Sequence, residues 1–190
     1  VANEGKVVAG GSLDLVEADI RGLNLGRRFS LVMLALNSLL LLGDDRAKQR
    51  ALTTMARHLT DNGRAVIDVW LPTSDDLALY DGQTMLDWIR ADDETGQRVA
   101  KSWSATHDPA RNTASITTYF DVGVDANASS RVVREDEIWF VGAEELIGLV
   151  RDAGLDPETV AGDYQLRPST SQSERLVLIC RRGTSPAFLI

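Results

Sequence analysis

Two hydrophobic rhythms alternate along the chain, and their order predicts an α/β fold. Residues 13–17 alternate Leu13 and Leu15 with Asp14 and Glu17, which reads as a short strand running toward Asp19. Residues 29–36, from Phe29 to Leu36, are almost continuously apolar, as expected of a central strand buried on both faces of a parallel sheet. Asn37 and Ser38 interrupt the run, and Leu39 to Leu42 predict a helical turn. Asp44 or Asp45 then caps a helix in which Ala47, Ala51, Leu52, Met55, Ala56 and Leu59 recur with a period of about 3.6 residues. Asn62 and Gly63 are expected to stop that helix, and residues 64–71 form the next buried strand, closed by Pro72. Residues 29–71 thus predict a strand-helix-strand unit with a right-handed crossover.

The rhythm weakens over 74–98, where Met85, Leu86 and Ile89 around Trp88 suggest a short amphipathic helix. Three strands are expected next, over 99–107, 115–124 and 131–140, joined by turn residues at 108–112 and 125–129 into an antiparallel meander inserted in the α/β body. A helix over 143–153 follows, with Glu144 and Glu145 in its first turn and Gly154 as its stop. Strands over 160–164 and 176–181, linked by the polar segment 167–173, close the chain. Residues 1–8 read as the end of a helix. The expected organisation is one domain over 1–190, with 74–140 inserted within it.

Composition narrows the function classes. The 28 acidic residues outnumber 20 Lys and Arg, giving a net charge of −8 that would repel a phosphate backbone, so nucleic acid is not an expected partner. The single Cys180 forms no internal disulfide, and no apolar run approaches the roughly 18–20 residues of a membrane span, so a cytoplasmic protein is expected. The two histidines, His58 and His107, lie far apart, and no metal-ligand spacing exists.

Four segments in order carry a family resemblance: Asp19, Ile20 and Arg21 after one strand; Ala35 to Ser38 after the next; Asn62 to Val69 after a helix; and Glu144 to Leu146 through Asp152 to Leu155. Together they resemble roughly the later two thirds of class I S-adenosylmethionine-dependent methyltransferases, whose sheet is a Rossmann-like one. The meander resembles the insertion found in small-molecule methyltransferases such as the amino-sugar N-methyltransferases, where it encloses the acceptor or forms a subunit contact. The resemblance implies S-adenosylmethionine as cofactor, a small-molecule acceptor methylated at nitrogen or oxygen, and a homodimer contact. It also implies the sheet order 3-2-1-4-5-7-6, with strand 1 leading into a glycine-rich turn. No strand followed by G-x-G stands in this sequence, since Gly5 lies in a polar opening segment and Gly10 and Gly11 precede a strand. Strands 1 and 2 are therefore expected upstream of Val1 or from a second chain, with the segments 13–17 and 29–36 not hydrogen-bonded to each other.

For the site, the resemblance implies that Asp19 accepts from the adenine amino group, that Ile20 packs on the ring, and that Leu36 and Asn37 face the cofactor's amino-acid portion or the reacting methyl. Asp19 also reads as an ordinary polar strand end, and Asn37 as a cap of the following turn. Asn37 and His107 are the candidates for a catalytic role; with an ordinary pKa of about 6.5, His107 can take a proton from an amine, or stand solvated at a strand end. His58 reads as a favourable charge in a helix's last turn. Tyr119, Trp103 and Trp139 either line an acceptor pocket or serve packing. A non-catalytic interaction module that keeps the fold without a complete cofactor site is the competing reading.

Overall fold

The computed structural model describes residues 3–8, 11–123 and 130–183. Strand β1 (Asn3–Val8) pairs antiparallel with β2 (Gly11–Leu15) as a separate two-stranded sheet. β3 (Phe29–Leu34) leads through a 3-10 turn (Ser38–Leu41) and helix α1 (Asp45–Arg57) into β4 (Leu59–Trp70), which lies parallel to β3. After the short helix α2 (Ser74–Ala78) come β5 (Met85–Ala91), β6 (Arg98–Asp108), β7 (Thr113–Val122) and β8 (Ser130–Trp139), an antiparallel sheet in sequential order. Helix α3 (Ala143–Asp152), β9 (Leu155–Ala161) and β10 (Arg175–Arg182) complete the main sheet, whose order is β3-β4-β10-β9. That order, with β10 antiparallel to both neighbours, reproduces strands 4-5-7-6 of the expected topology.

One face of the main sheet is the core. Alternation along β4 and β10 sends Ala65, Ile67 and Val69, and Leu176, Leu178 and Cys180, to the same side, where all are buried against Leu52 and Met55 of α1 and Leu146 and Val150 of α3. Burial pushes the Cys180 thiol up to about 12, so it packs as a small apolar group. On the opposite side Leu31 and Met33 are 52% and 56% exposed, and β3 has a hydrogen-bonded neighbour on one edge only among the described residues. Among the described residues β3 is thus an edge strand, open on the side where strand 1 is expected, and the expectation of burial on both faces is corrected. β2 has no ladder with β3, as expected.

Other departures have local causes. Residues 3–8 are a strand rather than a helix end; Val1 and Ala2 lie outside the described residues, as do Gly10, Val124 and the expected turn at 125–129. The expected helix around Trp88 is β5, whose apolar residues depart from two-residue alternation and whose ladder with β6 has a register shift between Leu86 and Trp88. The meander consequently has four strands, not three. α1 ends at Arg57, before Asn62 and Gly63, because β4 already pairs with Phe29 at Leu59 and an irregularity in the ladder absorbs the residues before Arg64. The strand expected over 160–164 is β9, whose edge position tolerates Pro157.

Gly63 sits at that irregularity. A Cβ there would lie 2.9 Å from the Phe29 carbonyl oxygen, 3.0 Å from Thr60 Oγ1 and 3.1 Å from Leu59 Cδ2. The carbonyl belongs to the backbone of β3 and cannot swing aside as a side chain would. Gly63→Ala is therefore expected to lower unfolding stability by about 1–3 kcal/mol through overpacking. Urea denaturation measures it, and an unchanged midpoint would show that the ladder relaxes freely.

Candidate functional site

The parallel strands β3 and β4 end side by side, at the place where open α/β sheets receive ligands. Immediately after β3 the backbone takes an uncommon form. Leu36 and Asn37 both have positive φ, 56° and 63°, although neither is glycine. Such residues cost about 1–3 kcal/mol each and persist only where surrounding groups over-determine them.

Those groups come from the neighbouring strands. Asp68 of β4 is 2% exposed, and its Oδ1 accepts the Leu36 N–H at 2.7 Å. Its Oδ2 accepts the Tyr164 hydroxyl at 2.9 Å and a hydrogen bond from Arg175 Nη1, which also forms an ion pair with it. The Arg175 guanidinium lies 4.9 Å from the centre of the Tyr164 ring. Partial desolvation of the Tyr164 hydroxyl, then the hydrogen bond to Asp68 and its negative charge, raise the phenol pKa above its ordinary value. Asn37 stands at the N-cap of the 3-10 turn, where its carbonyl accepts the Leu40 N–H, but its side chain makes no cap hydrogen bond; its Oδ1 accepts the Trp70 N–H at 2.7 Å, tying the end of β3 to the end of β4. The Leu36 side chain is 79% exposed.

Trp70 opens an aromatic cluster toward the meander. Its ring lies 6.2 Å from Tyr80 and 5.9 Å from Phe140; Tyr80 is 6.1 Å from Trp103, and Phe140 is 6.1 Å from His107. His107 Nε2 is buried and has no hydrogen-bond partner among the described residues. His107 is thus not the solvated strand-end residue of the alternative reading. The ladder registers of β6, β7 and β8 place Trp103 and His107 on one face and Tyr119 and Trp139 on the other. The three aromatic residues expected to share a pocket therefore do not. Tyr119 and Trp139 instead lie under Arg131 and Arg111.

Asp19 follows β2 at the surface, where both of its carboxylate oxygens accept from Arg21 at 2.9–3.0 Å. Arg21 holds the Asp19 carboxyl below its ordinary pKa, chiefly by side-chain and then backbone hydrogen bonds. Ile20 is half-buried against the core. His58 lies at the other end of β3, 5% exposed, with Nδ1 donating to the Thr54 carbonyl at 2.7 Å and Nε2 accepting the Leu25 N–H at 3.0 Å. It is a buried connector, which corrects its reading as a helix-end charge. Among the described residues no group of His, Cys, Asp and Glu could hold a metal ion, and no helix is long and apolar enough to cross a membrane.

Sequence reasoning passed over Asp68, Trp70, Tyr164 and Arg175. The signal available was Asp68, a lone carboxylate inside the apolar run from Ala65 to Trp70. Its partners come together only through the antiparallel placement of β10, which no local pattern encodes.

No protein-family model and no curated protein matches the sequence. Solved structures do match the fold. An S-adenosylmethionine-dependent methyltransferase from Clostridium acetobutylicum superposes with a TM-score of 0.71 at 20% identity, covering 87% of this chain and 63% of that one. The sugar N-methyltransferase KedS8 from Streptoalloteichus gives 0.68 at 22% identity, covering 87% and 61%, and the CcbJ methyltransferase from Streptomyces caelestis gives 0.65 at 20%, covering 89% and 63%. The chain spans just under two thirds of the length of each of these relatives. Taken with the strand order β3-β4-β10-β9, these likenesses give the chain the fold of the class I S-adenosylmethionine-dependent methyltransferases.

Proposed function

We propose that this chain is the later part of an S-adenosylmethionine-dependent methyltransferase that modifies nitrogen or oxygen of a small-molecule acceptor. The observation that carries the reading is the left-handed Leu36–Asn37 turn, held by Asp68 at the carboxyl end of a parallel strand. Strained backbone at a strand end is where a preorganised ligand contact is expected. The likeness to a sugar N-methyltransferase supports a small-molecule acceptor.

The cofactor supplies an activated methyl on a sulfonium. The protein's part is to hold the acceptor in line and exclude water, which requires no nucleophile. Leu36 and Asn37 would contact the amino-acid end through their backbone, because the Asn37 side-chain oxygen is committed to Trp70. Ile20 would pack on the adenine, and Asp19 would accept its amino group by sharing lone pairs now used by Arg21. The cluster of Trp70, Tyr80, Trp103 and Phe140 would form the apolar acceptor wall, with His107, beside Phe140, as the candidate to take a proton. The free edge of β3 and the exposed Leu31 and Met33 favour further strands and helices there, carrying the glycine-rich turn, from the same protein or from a second chain. The outer strands of the meander would serve the homodimer contact.

Calorimetric titration with S-adenosylhomocysteine tests the reading. Binding that Asp19→Ala weakens by about tenfold, the effect of losing one hydrogen bond to a charged acceptor, is the expected result. No heat with the complete protein would leave the interaction module, whose support is the engagement of Asp19 by Arg21. An unaltered dissociation constant in Asp19→Ala would remove that residue from the site and leave the rest standing.

A further inference from the structure

β10 runs antiparallel to β4 and begins beside its end, with Arg175 opposite Trp70. The loop that precedes it, residues 162–174, is therefore delivered to the same end of the sheet as the Leu36–Asn37 turn. This loop contains a polar cleft of about 500 Å³ bordered by Asp163, Arg167, Thr170, Gln172, Ser173 and Glu174. Elsewhere in the loop Tyr164, 56% exposed, sends its hydroxyl to the almost fully buried Asp68. The other oxygen of the same carboxylate holds the Leu36 amide. One buried charge thus joins a surface loop to a strained turn, and hydrogen bonds to an ionised acceptor are about twice as strong as neutral ones.

We propose that Asp68 and Tyr164 are positioning residues: Asp68 fixes the Leu36–Asn37 turn that meets the methyl donor, and Tyr164 couples this turn to loop 162–174 at the same end of the sheet. The role of the donor rests on the methyltransferase reading; the coupling of turn to loop does not. Asp68 is chosen over the neighbouring apolar positions of β4 because Val66 and Val69 have no group with which to hold an amide. Tyr164 is placed in the device, rather than treated as a surface phenol, because its hydroxyl is directed at a buried carboxylate and its ring lies under that carboxylate's own counter-ion.

Amide hydrogen exchange in the full chain, read by NMR, tests it. Tyr164→Phe removes one hydroxyl from an exposed ring, so the fold is expected to survive. Exchange at Leu36 and through 162–174 should accelerate about tenfold, the loss of one charged hydrogen bond, while Ile67 and Leu178 in the core keep wild-type rates. Asp68→Asn should accelerate Leu36 by about tenfold to hundredfold and return the Tyr164 hydroxyl toward its ordinary titration, a signature that loss of packing would not produce. S-adenosylhomocysteine should slow Leu36 exchange in the wild type and not in Asp68→Asn. Wild-type Leu36 exchange in Tyr164→Phe, or equal acceleration at Ile67 and Leu178, overturns the proposal. If S-adenosylhomocysteine changes nothing in the complete wild-type protein, the cofactor reading fails, while the coupling is decided by Tyr164→Phe alone.

Discussion

Leu40→Ala is expected to lower the free energy of unfolding by about 2–5 kcal/mol, the range for deleting a fully buried leucine whose surroundings relax only in part. Leu40 is 0% exposed, in the 3-10 turn just after Asn37, and belongs to the cluster that includes Ile67, Val69 and Phe140. Its amide also donates to the Asn37 carbonyl at 2.9 Å, so the turn is anchored by packing and backbone together. Leu41, next in sequence and 45% exposed, provides the control. Leu41→Ala should stay within about 0.5 kcal/mol of wild type, as surface changes usually do. Chemical denaturation of both variants decides the matter. A loss below about 1 kcal/mol for Leu40→Ala would mean that the turn is not part of the cooperative core.

Lys48→Ala is expected to cost about 2–4 kcal/mol, whereas Lys48→Met should fall within about 1 kcal/mol of wild type or above it. Lys48 is 1% exposed, among the largest fully buried side chains, and its Nζ reaches Asp45 Oδ1 at 3.0 Å. The Asp45 side chain is 54% exposed, so water can hydrate it when the lysine is removed. Methionine keeps the stem's volume and removes the desolvated charge; alanine leaves a void. Burial works against ionisation of Asp45, but the hydrogen bond and positive charge of Lys48 act against it and the carboxyl lies below its ordinary value. Because the folded-state value lies below the unfolded one, this stabilisation is present above about pH 4 and is lost as pH falls through the folded value. Denaturation midpoints between about pH 2 and 6 should fall less steeply for Lys48→Met than for wild type. Parallel curves would show that the pair contributes nothing to the slope.

The helices and the core strands were legible because one face of each is apolar at the right period. α3 lies over 143–152 with its acidic first turn as expected, and Ala51, Leu52 and Met55 are buried as the helical stripe predicts. Lys48 stood on that stripe, three and four residues before Ala51 and Leu52, yet composition alone marks lysine as a surface residue. β5 was misread because its irregular pairing breaks the two-residue alternation on which a strand is recognised. In the site, Leu36 and Asn37 were selected from the family resemblance, and their backbone conformation supplies a physical reason to look there. Asp68, Tyr164 and Arg175 were hidden for a different reason. They are distant in the chain and meet only through the β4-β10 ladder, a long-range pairing with no local signature.

The antiparallel course of β10 also bears on how such a protein can diversify. The polar segment 162–174 and the meander between β4 and α3 both open at the end of the sheet where β4 stops, while the ladder from Arg175 to Arg181 is set by Ala65, Ile67 and Val69 on the far side of the strands. Insertions or exchanges in the two loops can therefore reshape that end of the sheet without shifting strand register. Sequence variation would be expected there first, with an acid kept at position 68 as long as the Leu36–Asn37 turn keeps its left-handed form.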